Sequence, residues 1–127
     1  MEKKEPLAKP VEVFLEGLGL DLSRLGMEKT PERVAKMYGE LFSGLGPVEP
    51  EEWGELFESD AKGLVAVRHI PFYSMCEHHL VPFFGEVDIV YQPHDGMVAG
   101  FSKFTKVVEH LSHRPQLQER LTRQIAA

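Results

Sequence analysis

The 127-residue sequence predicts an α+β chain: helices first, then a β-hairpin, then two further helices. Apolar residues recur at helical spacing through the first 60 positions, alternate between 63 and 91, and return to helical spacing after 101. A hydrophobic fraction of 43% and a charged fraction of 27% fit a globular chain with a modest core. The change of period divides the chain into an N-terminal helical region, 1–60, and a mixed region, 61–127.

Val11, Phe14, Leu15 and Leu18 share one face of a short first helix, weakened towards its end by Gly17 and Gly19. In "TPERVAKMYGELFSG" Thr30 suits a cap, Pro31 the first helical position and Gly44 the stop. Between them Val34, Met37, Tyr38, Leu41 and Phe42 make one apolar stripe, which like the first is expected to pack in a core. A third short helix is expected over "EPEEWGELFE", beginning at Pro50 and offering Trp53, Leu56 and Phe57 to the core. "GLVAVRHIPF" reads as a strand whose end Pro71 sets at a sheet edge or bend. "FFGEVDIVYQP" alternates Val87, Ile89 and Tyr91 against Glu86, Asp88 and Val90, a strand with one half-solvated face. "PHDG" turns the chain towards "MVAG". Phe104, Val107, Val108 and Leu111 line a helix that ends near Pro115. Leu117, Leu121 and Ile125 line another, still running at Ala127 without a closing signal, which suggests an incomplete chain.

The net charge of −6 argues against a broadly basic surface, so no nucleic-acid partner is expected, while a local cationic pocket stays open. No run of about 18 apolar residues offers a membrane span, so no membrane partner is expected either. "MEKKEPLAKP" lacks the apolar stretch of a signal peptide, which predicts a cytoplasmic chain. A single cysteine forms no internal disulfide, leaving Cys76 as a buried thiol, a nucleophile or a metal ligand.

Chemistry concentrates in "YSMCEHHLVPFFG", the loop expected to join the two strands. Cys76 and His79 are three apart, so thiolate and imidazole can converge on one ion where the loop turns tightly. Sulfur and nitrogen together favour zinc over magnesium or calcium. The side chain of His78 diverges from that of His79, leaving it free to donate or accept a proton near neutral pH. The plainer alternative is a small buried thiol beside surface histidines. In "GFSKF", Ser102 and Lys103 open a helix in a way that suits either a phosphate or an ordinary cap. In "RPQLQERLT", Gln118 and Glu119 could read a purine edge or lie on a solvated helix face.

Taken in order, "SMCEHHLVPFFG", "GFSKF", "RPQLQERLTRQIA" and "TPERVAKMYGELFSG" resemble the motifs of GTP cyclohydrolase I, a likeness that runs from about residue 7 to 127. The resemblance implies a hydrolase that converts GTP and water to formate and 7,8-dihydroneopterin triphosphate, the entry step to folate and related pterins. It implies Zn2+ held by Cys76 and His79, with His78 as the catalytic proton-transfer group beside the purine nitrogens. Ser102 and Lys103 match positions near the triphosphate, and Gln118 with Glu119 match those that hold the guanine edge.

It further implies a T-fold for 61–127 as a partial catalytic domain: a β-hairpin and two helices, with the last two strands missing. The partners implied are GTP and copies of the same chain in a ring, a decamer when complete. Two departures stand out. Lys106 occupies a position where the family usually carries a phosphate-facing arginine, which keeps the charge and loses the bidentate fork. The family's third zinc ligand is a cysteine in a downstream H-x-C element, and Cys76 is the only cysteine here. The alternative expectation is therefore a non-catalytic relative, a structural or regulatory partner of full-length subunits.

Overall fold

A computed structural model describes residues 6–49, 54–60 and 62–127. The chain forms two compact units, Met1–Leu41 and Phe42–Ala127. In the first, helices α1 (Ala8–Gly17) and α2 (Thr30–Leu41) pack on each other. The start of α2 at Thr30 and Pro31 is the one the sequence predicts. The expected core packing of the α1 stripe is corrected: α1 buries no residue, and Phe14 and Leu18 are 65% and 63% exposed.

The second unit is mixed, so the α+β class holds, and its central hairpin followed by two helices is compatible with the partial T-fold. Strands β2 (Val65–Cys76) and β3 (Pro82–Tyr91) pair antiparallel from Val65 opposite Tyr91 to Met75 opposite Pro82. Alternation along β3 is regular, with Phe83, Val87, Ile89 and Tyr91 half-buried and Phe84, Glu86, Asp88 and Val90 exposed. The register slips between Val67 and Ile70, a bulge that holds His69 at φ 59.

Contrary to expectation, Pro71 does not end the strand; it pairs with Glu86, and β2 runs on to Cys76. Cys76 N–H donates to Val81 O, so by alternation the nitrogen of Pro71 falls on the edge of β2 away from β3. The short strand β5 (Pro115–Gln116) reaches that edge only at Met75 and Cys76, so the proline ring displaces no ladder bond.

Helix α3 (Phe101–Ser112) lies along β2, and α4 (Gln118–Ala126) follows β5. Val67, Ile70, Phe104 and Val108 form one buried cluster, and Val107, Leu111 and Leu121 another. Ser74 is buried and donates through Oγ to Ser112 O at 2.6 Å, fixing the far end of β2 to the end of α3. Segment 43–46 is tied to the same end: Gly44 N–H donates to His113 O at 2.9 Å, and Ser43 Oγ lies 3.2 Å from His113 Nδ1.

The predicted third helix is corrected in part. Pro50–Trp53 lie outside the described residues, but Leu56–Glu58 form a strand, β1, antiparallel to β4 (Met97–Ala99). Leu56 and Phe57 are 53% and 54% exposed rather than core. The "PHDG" turn forms as expected, with Asp95 and Gly96 at positive φ bringing Met97 back to His94.

Candidate active site

Cys76 is the last residue of β2, and residues 77–79 turn before β3 begins at Pro82. The turn is closed by Leu80 N–H donating to Cys76 O at 2.8 Å, with Leu80 at φ 54. A leucine in the left-handed region costs about 1–2 kcal/mol, strain that the surrounding bonds hold in place. Glu77 N–H donates to Gln116 O at 3.1 Å, which pins the turn to β5.

In this turn Cys76 Sγ lies 4.0 Å from His79 Nδ1. Zinc–sulfur and zinc–nitrogen lengths of about 2.3 and 2.0 Å at a tetrahedral angle put two ligand atoms roughly 3.6 Å apart. A small rotation of either side chain closes the difference, so the pair fits two corners of a zinc site. Among the described residues no three His, Cys, Asp or Glu side chains converge on one point. His78 is exposed, with Nε2 3.8 Å from Glu77 Oε1, and its ring stands edge-on to that of His79 at 6.2 Å between centroids.

Glu77 contributes neither a ligand nor a free base. Both of its carboxylate oxygens accept from the Arg120 guanidinium, Oε2 from Nη1 and Oε1 from Nη2 at 3.2 Å. That hydrogen-bonded cation holds its carboxyl below the usual carboxylate range. Arg120 was not singled out from sequence; the available signal was its place in "QERLT", one residue after Glu119. The fork brings the first turn of α4, and with it Gln118 and Glu119, to the loop. Both are exposed, and Gln118 lines a groove of ≈ 710 Å³ with Phe72, Phe83, Glu86, Asp88 and Leu121, apolar and acidic side chains together.

Ser102, Lys103 and Lys106 lie elsewhere. They occupy the start of α3, whose cap residue is Gly100 with no side-chain cap, so Ser102 does not serve as one. Lys103 is only 9% exposed, and among the described residues its Nζ has no hydrogen-bond partner. A Cβ added at Gly54 would come within 2.2 Å of that nitrogen. Ser102 and Lys106 are exposed, and Lys106 lines a cleft with Ser43, Glu109, His110 and His113. Because Phe104 packs with Val67 and Ser112 meets Ser74, the start of α3 and the Cys76 turn sit at opposite ends of the layer. Nine helical residues at 1.5 Å each and two strand residues at 3.3 Å put the two ends on the order of 20 Å apart.

A profile of the GTP cyclohydrolase I family matches residues 7–127, which includes every one of these positions. The chain belongs to the GTP cyclohydrolase I family. It is 52% identical over 126 residues to GTP cyclohydrolase 1 of Streptococcus agalactiae serotype V, covering 99% of this chain and 67% of that protein. To the protein of the same name from Lysinibacillus sphaericus it is 50% identical over 120 residues, 94% of this chain and 64% of the relative. For that from Halalkalibacterium halodurans the figures are 49% over 122 residues, 96% and 65%. The chain thus spans about two thirds of the length of the curated relatives it matches.

Proposed function

We propose that the protein acts in the hydrolytic opening of the GTP imidazole ring, giving formate and 7,8-dihydroneopterin triphosphate, with the Cys76 turn as its metal centre. The observation that carries this reading is the 4.0 Å approach of Cys76 Sγ and His79 Nδ1 on a strained, well-tied turn. Cys76 and His79 would hold zinc, which would lower the pKa of water at that site towards about 7 and so favour its attack at neutral pH. His78 exchanges a proton with the imidazole nitrogen of the base as water adds at C8. Glu119 accepts from the guanine N1–H and exocyclic amine while the Gln118 amide completes the edge. Adenine presents a different pattern there and leaves these groups unpaired. Ser102, Lys103 and Lys106 hold the triphosphate, with the buried, unpartnered Lys103 ammonium as its main counter-charge.

The separation of the two ends bears on assembly. Around 20 Å exceeds the distance from guanine C8 to the terminal phosphate of one GTP, so a single copy does not serve both parts of the substrate. A ring of copies, each lending the start of α3 to a neighbour's Cys76 turn, reconciles the two. An unpaired thiol suits a reducing cytosol, and among the described residues no helix is long and apolar enough to cross a membrane.

A second reading, a non-catalytic partner of full-length subunits, is favoured by the convergence of only two ligand side chains among the described residues. Metal content and formate release separate the readings. The catalytic one expects stoichiometric zinc and formate from GTP in the assembled protein, with both lost in Cys76→Ser and His79→Ala. Turnover that survives Cys76→Ser overturns it. Co-assembly with a full-length relative without formate release of its own supports the second.

A further inference from the structure

We propose that Arg120 is a positioning residue for the metal-binding turn, acting through Glu77, and that this pair sets the spacing between the turn and the helix start carrying Gln118 and Glu119. The inference rests on the metal reading above. Glu77 sits between the two ligands, so its orientation constrains the backbone on which both are mounted. The turn's other restraints are backbone bonds: Cys76 to Val81, Leu80 to Cys76 and Glu77 to Gln116. Among the described residues the Arg120 fork is the side-chain tether from the turn to another element.

Its value is geometric rather than Coulombic. The two side chains are 34% and 27% exposed, and ion pairs open to water contribute little to stability. A planar guanidinium that meets both oxygens of a carboxylate fixes direction as well as distance, which a lysine in its place does not. Arg120 lies in the first turn of α4, close behind Gln118 and Glu119. A base seated on those two residues is therefore held at a set distance from Cys76 and His79. Removing the partner of such a supporting group typically costs about 10–100-fold in metal affinity.

The test uses the whole chain, as wild type, Arg120→Ala, Arg120→Lys, Glu77→Gln and the double variant E77Q/R120A. Two probes are read: Co2+ titration followed by thiolate-to-cobalt absorption, and the rate of iodoacetamide alkylation of Cys76 in metal-free protein. Arg120→Ala and Glu77→Gln are each expected to weaken Co2+ binding about tenfold and to speed alkylation. The double variant is expected to match the singles, and Arg120→Lys to fall between. A general loss of structure is excluded if circular dichroism and the urea midpoint are unchanged in Arg120→Lys. Wild-type Co2+ affinity in Arg120→Ala, or effects that multiply in the double variant, overturns the proposal. Should Cys76→Ser give the wild-type cobalt spectrum, the metal reading itself fails. The alkylation rates then decide the tether on their own: faster in Arg120→Ala keeps it, unchanged overturns it.

Discussion

At the Cys76 end of the β2–α3 layer, most polar groups are matched to one another, Glu77 with Arg120, Leu80 with Cys76 and Ser74 with Ser112, while the buried Gln116 Oε1 has no partner among the described residues. At the opposite end, Lys103 is folded against Gly54 with its Nζ buried and without a partner among the described residues. The first arrangement fixes the turn on which the proposed ligands Cys76 and His79 are mounted. The second leaves a buried amine without a hydrogen-bond partner among the described residues. The contrast fits the proposal that the two ends take different ligands, and it yields substitutions of opposite sign.

The largest effect is expected at the matched end. Cys76→Ser removes the soft ligand of a two-residue site, so Co2+ or Zn2+ affinity should fall by more than about 100-fold, roughly 3 kcal/mol. Binding of inorganic triphosphate should be unchanged, and isothermal titration with each ligand checks both. A parallel loss of triphosphate binding breaks the separation of the two ends. Gly44→Ala comes next. Its Cβ would meet His110 O at 1.8 Å, a backbone atom that cannot swing aside. The shift should cost about 1–3 kcal/mol in urea unfolding and, through His113 and the end of α3, loosen the Cys76 end before the Lys103 end. Amide hydrogen exchange that rises equally at both ends contradicts this.

How much of this contrast was legible beforehand follows from which forces set each part. The hairpin and the two helices after it were readable because Val87, Ile89 and Tyr91, and then Phe104, Val107, Val108 and Leu111, repeat with the periods of their own elements. The approach of Cys76 and His79 was readable because both lie in one turn. The β1 strand was not: Trp53, Leu56 and Phe57 fit a helical stripe, and only pairing with Met97–Ala99, about 40 residues away, makes Leu56–Glu58 extended. Pro71 misled because an edge-facing nitrogen depends on where β5 stops. The Glu77–Arg120 fork joins residues 43 positions apart and carries no local period at all. The unpartnered burial of Lys103 is likewise a property of the fold, since "GFSKF" reads equally well as an exposed helix start.

Lys103→Met sharpens the comparison with a smaller effect of mixed sign. Replacing the unmatched ammonium by an apolar chain of similar length removes a buried polar group without a partner, which should stabilise the ligand-free protein by about 1 kcal/mol. The same change should weaken inorganic triphosphate binding about tenfold, because a charge-assisted bond is lost. Urea unfolding and titration calorimetry read the two quantities. A destabilised variant with unchanged triphosphate affinity means that Lys103 is a packing residue.

The smallest effect is expected at neither end. His69 sits at the bulge of β2, exposed, with Nδ1 2.8 Å from Glu86 Oε2 and its backbone N–H donating to Asp88 Oδ1 at 2.8 Å. The hydrogen bond to Glu86, then that carboxylate's charge and that of Asp88, raise its pKa above the ordinary value of 6.5. A group raised on folding contributes stability that is fully present below its unfolded pKa and is lost as pH rises through the higher folded value. The wild-type unfolding midpoint should therefore decline relative to Glu86→Gln as pH rises above about 6.5. The His69 ring proton, followed by NMR, should titrate above that value in wild type and move down in Glu86→Gln. Arg68 is 3.7 Å from Asp88, and that contact keeps part of the local charge balanced in the variant. Neither Co2+ nor triphosphate binding should respond, since among the described residues the side chains that bond His69 are those of Glu86 and Asp88, neither of them a proposed ligand residue. A response of either one to Glu86→Gln means that the hairpin transmits strain along β2, and the two ends then have to be treated as one cooperative site.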